Sequence, residues 1–154
     1  MPRRVIGVIG AGECDAEVAV RAEEVGRRLA EANVVVATGG LGGVMEAASR
    51  GASKAGGLVI GILPMSRPEV ANAFVDVAVA TGMGEARNAI LVNTCSAFVA
   101  IAGGYGTLSE IAYALRQKKR VVALDSWDVD PAVVGVATPE EAVAKVLGAA
   151  LRGE

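Results

Sequence analysis

The chain has 154 residues, a formal net charge of −2, 53% hydrophobic and 3% aromatic residues, and no histidine. That length suits one domain able to remove roughly two thirds of the unfolded chain's surface from water. The missing histidine excludes Ser-His-Asp and Cys-His catalysis and the commonest zinc ligand, and the acidic balance leaves no basic stripe for nucleic acid.

With so few aromatics the core must be Val, Ala, Ile and Leu, which suits buried parallel strands under closely packed helices. Val5 to Ile9 is predicted as the first strand, ending at Gly10-Ala11-Gly12. A helix is predicted from about Asp15 to Glu31, with Val18, Ala22, Val25 and Leu29 on one face. Its other sides carry the i,i+4 pairs Glu17–Arg21, Glu23–Arg27 and Glu24–Arg28, acid first. Val34 to Ala37 is the second strand, followed by Thr38-Gly39-Gly40-Leu41-Gly42-Gly43 and a helix of small residues from Val44 to Ala55, stopped by Gly56-Gly57. Leu58 to Leu63 is the third strand and Phe74 to Ala80 the fourth.

Gly82-Met83-Gly84 opens a helix from about Glu85 to Cys95. Its run Ile90-Leu91-Val92 is too wide an apolar face for one side of a small sheet, so part of it is expected to meet a second subunit. Ala97 to Ala102 is the fifth strand, ending at Gly103-Gly104-Tyr105-Gly106. A helix from Thr107 to Lys119 follows, and Arg116, Lys118, Lys119 and Arg120 are expected to complement its C-terminus. Val121 to Leu124 is the sixth strand; a loop with Trp127 leads to an apolar run at Val133 to Val136 and a last helix from Pro139 to Leu151. The expectation is a single α/β domain over residues 1–154, three layers deep, with a mainly parallel sheet. Its glycine clusters then gather along one edge, at the carboxyl ends of the strands, where such folds bind ligands.

Two cysteines without close spacing, Cys14 and Cys95, make neither a disulfide framework nor a metal knuckle, and no metal site is expected. The N-terminal apolar run is too short for a signal peptide, and no apolar stretch reaches the ~20 residues of a membrane span. A soluble, reduced, cytoplasmic protein is expected.

The glycine loops carry the functional reading. Gly10 and Gly12 resemble the start of a dinucleotide fingerprint, but Asp15 stands at the third glycine and Thr38 where the ribose-binding acid belongs. A tight turn beside a ligand fits better. Thr38, Gly39, Gly40, Gly42 and Gly43, directly before a helix, read as a phosphate cradle. Gly103, Gly104 and Gly106 precede Thr107-Leu108-Ser109-Glu110, which also matches a capping box. Thr138-Pro139-Glu140-Glu141 repeats that spacing without a glycine loop, so the box alone indicates no site. A helix N-terminus contributes about 0.3–1 kcal/mol to an anion, whereas micromolar binding needs about 8 kcal/mol. A cation is therefore required, and Arg87, beside Asn88, is the candidate.

Thr38 to Ala47, which includes Met45, then Ala86-Arg87-Asn88, then Gly103 to Glu110 resemble the Lonely Guy (LOG)-like superfamily across nearly the whole chain. That group includes proteins once labelled lysine decarboxylases, nucleoside 5′-monophosphate phosphoribohydrolases and molybdenum cofactor carrier proteins. The resemblance implies a Rossmann-like fold, usually a homodimer, glycine loops that hold a phosphate, and in the hydrolases a catalytic pair that maps to Arg87 and Glu110. The hydrolases usually have proline where this chain has Ala102, lysine at Asn88 and glycine at Glu46. These departures are more similar to the carrier branch. Two readings follow: a carrier-like protein for a phosphorylated nucleotide- or molybdopterin-like ligand, or a phosphoribohydrolase releasing free base and ribose 5-phosphate. No pyridoxal phosphate signature is present, and a DNA-processing role is disfavoured by the charge balance.

Overall fold

A computed structural model describes residues 2–152; Met1, Gly153 and Glu154 lie outside the described residues. The elements run β1 (Val5–Gly10), α1 (Ala16–Glu31), β2 (Val35–Thr38), α2 (Val44–Lys54), β3 (Val59–Leu63), β4 (Val77–Ala80), α3 (Arg87–Thr94), β5 (Ala97–Ile101), α4 (Tyr105–Arg116), β6 (Arg120–Leu124), β7 (Val134–Val136) and α5 (Pro139–Arg152). Short 3-10 turns cover Pro68–Val70 and Gly84–Ala86.

The strands form one seven-stranded sheet in the order β4-β3-β2-β1-β5-β6-β7. Every pairing is parallel, so the expectation of a mainly parallel sheet is met in full. Alternate side chains serve two apolar layers, as strand geometry requires. Ile6, Val8, Val99 and Ile101 pack with α1, α2 and α5, whereas Ile9, Phe98 and Ala100 pack with α3 and α4. The result is a Rossmann-like, three-layer α/β domain.

Asp15 caps α1, its Oδ1 accepting from Val18 N at 2.9 Å. Ala22, Val25 and Leu29 are buried as the stripe predicts. Glycines inside helices were not singled out by periodicity, yet two of them set how closely α1 and α2 pack. A Cβ on Gly26 would stand 2.0 Å from Ala48 O, and one on Gly51 would stand 1.9 Å from Glu23 O. The close approach also corrects a predicted pair. Glu23 bonds Arg50 at 3.0 Å and Lys54 at 3.1 Å on α2 rather than Arg27. Arg27 turns to Glu24 and Glu31.

Three further expectations change in the tertiary context. Leu91 and Val92 are fully buried in this chain's own core, which leaves only the half-buried Ile90 of that run for the expected partner contact. Arg116 stands in the last turn of α4 as expected, but Lys119 donates to Val92 O at 2.6 Å and Asn93 O at 3.3 Å and so closes the C-terminus of α3 instead. The fourth strand is shorter than Phe74 to Ala80, because Asn72 and Phe74 are taken up in a turn bonded to Gly40 and Leu41.

Candidate functional site

The chain winds outward from β1 to β4, then returns to place β5 on the other side of β1. This reversal opens a crevice at the carboxyl ends of β1 and β5, the position where doubly wound sheets bind ligands. Gly10 pairs with Ile101 there. A Cβ on Gly10 would stand 2.2 Å from Ile101 O and 2.7 Å from Val44 Cγ1, so no larger residue fits. The crevice is a cleft of about 420 Å³.

Of the residues singled out in the sequence, Gly10, Gly12, Gly39, Met45, Arg87, Asn88, Gly104, Gly106, Thr107 and Glu110 line this cleft. Thr38, Gly40, Gly42, Gly43 and Gly103 are not among the residues lining it, and most of them shape its walls. Thr38 Oγ1 accepts from Gly40 N at 3.0 Å, which folds the loop back on itself. Gly43, at φ +63°, lies so close to the first loop that a Cβ would stand 2.3 Å from Ala11 O. That same Ala11 carbonyl accepts from Val44 N, so the first amide of α2 is spent inside the protein. Gly103, at φ +102°, is folded over Thr107. The first amides of α4, by contrast, have no acceptor within their helix.

Ile9, Ala11, Leu41, Pro64 and Glu85 complete the lining and were missed. Leu41 and Ala11 could have been found as the non-glycine members of the two loops. Pro64 directly follows the third strand and carries no site signal of its own, and Glu85 has none beyond its place two residues before Arg87.

The predicted capping box does not form. α4 begins at Tyr105, two residues earlier than expected, with Gly104 as its cap and no side-chain capping bond. Thr107 and Glu110 are therefore inside the helix and buried, on the side that faces the cleft. The control sequence does cap: Thr138 Oγ1 accepts from Glu141 N at 3.1 Å. Trp127 braces the turn from the other side. Its Nε1 donates to Gly104 O at 3.1 Å, its ring stacks on Tyr105 with centroids 6.2 Å apart, and Ser126 Oγ donates to Ala102 O at 2.5 Å.

Arg87 is the first residue of α3. Its Nε donates to Ile62 O at 2.8 Å, one terminal nitrogen donates to Gly39 O at 3.5 Å and the other to Asn88 Oδ1. Burial pushes its pKa down, against the opposing pull of Glu110 and then Glu85. Glu110 is 7% exposed. Burial pushes its pKa up to about 7, although the charge of Arg87 pulls the other way. A cleft holding one fixed cation, one proton-poised carboxyl and unspent helix amides can hold an anion and exchange a proton.

Among the described residues, no group of three or more His, Cys, Asp or Glu side chains could hold a metal ion. No described helix is long and apolar enough to cross a membrane. Cys14 and Cys95 are both free thiols.

The family model of the SLOG cluster4 family matches residues 3–149. An uncharacterised protein of Archaeoglobus fulgidus is 51% identical over 138 residues, which is 90% of this chain and 91% of that protein. Among solved structures, the molybdenum cofactor binding protein of Rippkaea orientalis is 37% identical with a TM-score of 0.90, over 96% of this chain and 98% of that one. The Moco carrier protein of Chlamydomonas reinhardtii is 34% identical with a TM-score of 0.87, over 99% of this chain and 100% of that one.

Proposed function

The chain belongs to the SLOG cluster4 family, and from that premise we propose that it is a carrier-like binding protein for a phosphorylated, nucleotide- or molybdopterin-like ligand. The observation that carries this reading is the cleft at the sheet's reversal, where the N-terminal turn of α4 and the Arg87 side chain line one space of about 420 Å³. The phosphate sits at the first amides of α4, and Arg87 supplies the cation that those amides need. Gly104 and Gly106 let the ligand approach the main chain. The likeness to proteins described as molybdenum cofactor carriers supports a pterin-type ligand.

The test is mass spectrometry of the ligand carried through native purification, paired with thermal stabilisation. The expected outcome is a co-purifying phosphorylated heterocycle and a Tm that rises with added ligand. No shift with nucleoside monophosphates or molybdopterin at millimolar concentration would reject it.

One observation favours a second reading, a nucleoside 5′-monophosphate phosphoribohydrolase. A carboxyl poised at about 7 opposite an arginine suits proton transfer at neutral pH. In this reading Glu110 orients water or steadies the positive charge left on the ribose, and Arg87 binds phosphate or assists the departing base. Release of free base from AMP and related monophosphates, lost in E110Q, decides between the two. We also propose, from the family resemblance, a cytoplasmic homo-oligomer; a monomer by light scattering contradicts the second point.

A further inference from the structure

α4 is fastened differently from α1, α2 and α5. α1 and α5 each give a first-turn amide to a capping side chain, Val18 N to Asp15 Oδ1 and Glu141 N to Thr138 Oγ1, and α2 gives Val44 N to Ala11 O. α4 gives none. Gly104 makes no side-chain cap, and among the described residues nothing accepts from the amides of Tyr105, Gly106 or Thr107. The turn before α4 is held through its carbonyls instead. Ser126 Oγ donates to Ala102 O at 2.5 Å, and Trp127 Nε1 donates to Gly104 O at 3.1 Å.

Gly104 O already accepts from Leu108 N at 3.0 Å, so the Trp127 bond is surplus to the helix. Its effect is on orientation. Every described peptide is trans, and in a trans peptide the N–H points away from the carbonyl. Two donors on Gly104 O therefore fix the N–H of Tyr105 outward from the start of α4.

Strand register puts these donors in place. Ile101 pairs with Leu124, so β5 and β6 end side by side. Each strand then leads into a left-handed residue, Ala102 at φ +50° and Asp125 at φ +56°, and Gly103 follows at φ +102°. A left-handed alanine persists only where its surroundings hold it. Gly103, Gly104 and Gly106 add the opposite difficulty, since glycine has the most freedom to lose on ordering. Without a clamp this turn would be ordered by the ligand, and the ordering would weaken binding. The cleft shows separately that it awaits a ligand: the Glu110 carboxyl, 7% exposed, lines it without a protein hydrogen bond.

We infer, resting on the phosphate-binding reading above, that Ser126 and Trp127 are positioning residues of the anion site: they grip the Ala102–Gly104 turn by its carbonyls and so present the first amides of α4 to the ligand's phosphate already ordered. Neither side chain lines the cleft, so both act through the turn.

The test uses the full chain, ribose 5-phosphate as the probe, and the variants S126A, W127F and the two combined. W127F keeps a ring beside Tyr105 and removes the N–H donor. Isothermal titration is expected to show binding weakened ~3- to 10-fold by each substitution, the size of a lost hydrogen bond, and more by both. T138A, which removes a cap outside the cleft, should lower the Tm yet bind as the native chain does. Nitrogen-15 relaxation without ligand reads the order of the turn. The amides of Gly104 and Gly106 should be as rigid as the sheet in the native chain, with order parameters of about 0.85, and fall below about 0.6 in the double variant. Saturating probe should restore them. Native-like affinity in the double variant overturns the inference, as does a turn that is already mobile in the native chain or stays rigid in the double variant. A loss of binding in T138A equal to that in W127F also overturns it, because the effect is then one of general stability. If the native chain does not bind ribose 5-phosphate at millimolar concentration, the phosphate-binding reading falls first and this inference with it.

Discussion

The charge of Arg87 reaches Glu110 but does not offset the cost of burying it. Burial is the larger influence, and the Glu110 carboxyl stays at about 7 with the arginine present. The two residues come from the start of α3 and the middle of α4, on opposite sides of the reversal in the sheet. Their pairing is a consequence of strand order.

The first prediction concerns pH. A carboxyl whose pKa is raised on folding binds its proton more tightly in the folded chain. Its stabilising contribution is complete below the ordinary 4.5 and is lost as pH rises through about 7. The full difference corresponds to about 3 kcal/mol. E110Q, which cannot ionise, should therefore gain stability over the native chain as pH rises from 4.5 to 8, by several degrees in Tm. Glu24, held near 2 chiefly by its hydrogen bond from Arg27, acts in the opposite sense at acid pH in both proteins and cancels in the comparison. Paired thermal melts across that range check this; a constant difference between the two proteins is the contrary result.

A second prediction separates the charge of Arg87 from its placement. R87A should abolish phosphate-dependent stabilisation. R87K should recover little of it, because lysine lacks the planar fork that reaches Ile62 O, Gly39 O and Asn88 together. Removing the arginine also removes the charge that lowers the Glu110 pKa, so its titration should move above 7. Carbon-13 NMR of the labelled glutamate side chains reads that shift directly.

Gly39 gives a third. A Cβ there would stand 2.6 Å from an Arg87 terminal nitrogen and 2.6 Å from Met45 Sδ. Both are ends of flexible side chains, so G39A should fold with little loss of stability and yet weaken ligand binding by displacing the guanidinium. A thermal melt without ligand and a titration with ligand distinguish the two effects.

The fourth prediction concerns the helix pair outside the cleft. G26A or G51A forces a methyl group against backbone of the facing helix, which cannot yield as a side chain can. Each should cost about 1–3 kcal/mol or more, the range for overpacked cores, measurable by urea denaturation. T138A should cost about 1 kcal/mol through the loss of a real N-cap.

Much of the scaffold was legible because its signals are local. Apolar runs, glycine turns and amphipathic stretches marked the strands and helices, and Thr138 caps its helix as the Thr-x-x-Glu spacing suggested. The glycine loops after β1, β2 and β5 stood out as the functional edge, and Arg87 and Glu110 were identified within the motifs that carry the family resemblance.

Tertiary structure alone decided what those residues do. Thr107 and Thr138 have the same sequence spacing to a glutamate, yet only Thr138 caps. Gly104 starts α4 early and carries Glu110 into the cleft wall, and Trp127 holds that same glycine from a loop more than 20 residues away. Glu23 left its expected partner on α1 because two glycines bring α2 within reach. Local pattern specifies elements through period and propensity, but it carries no distances between them. The strand order that brings Gly10 beside Ile101, and Glu110 within reach of Arg87's charge, is set by how two apolar layers can be covered at once.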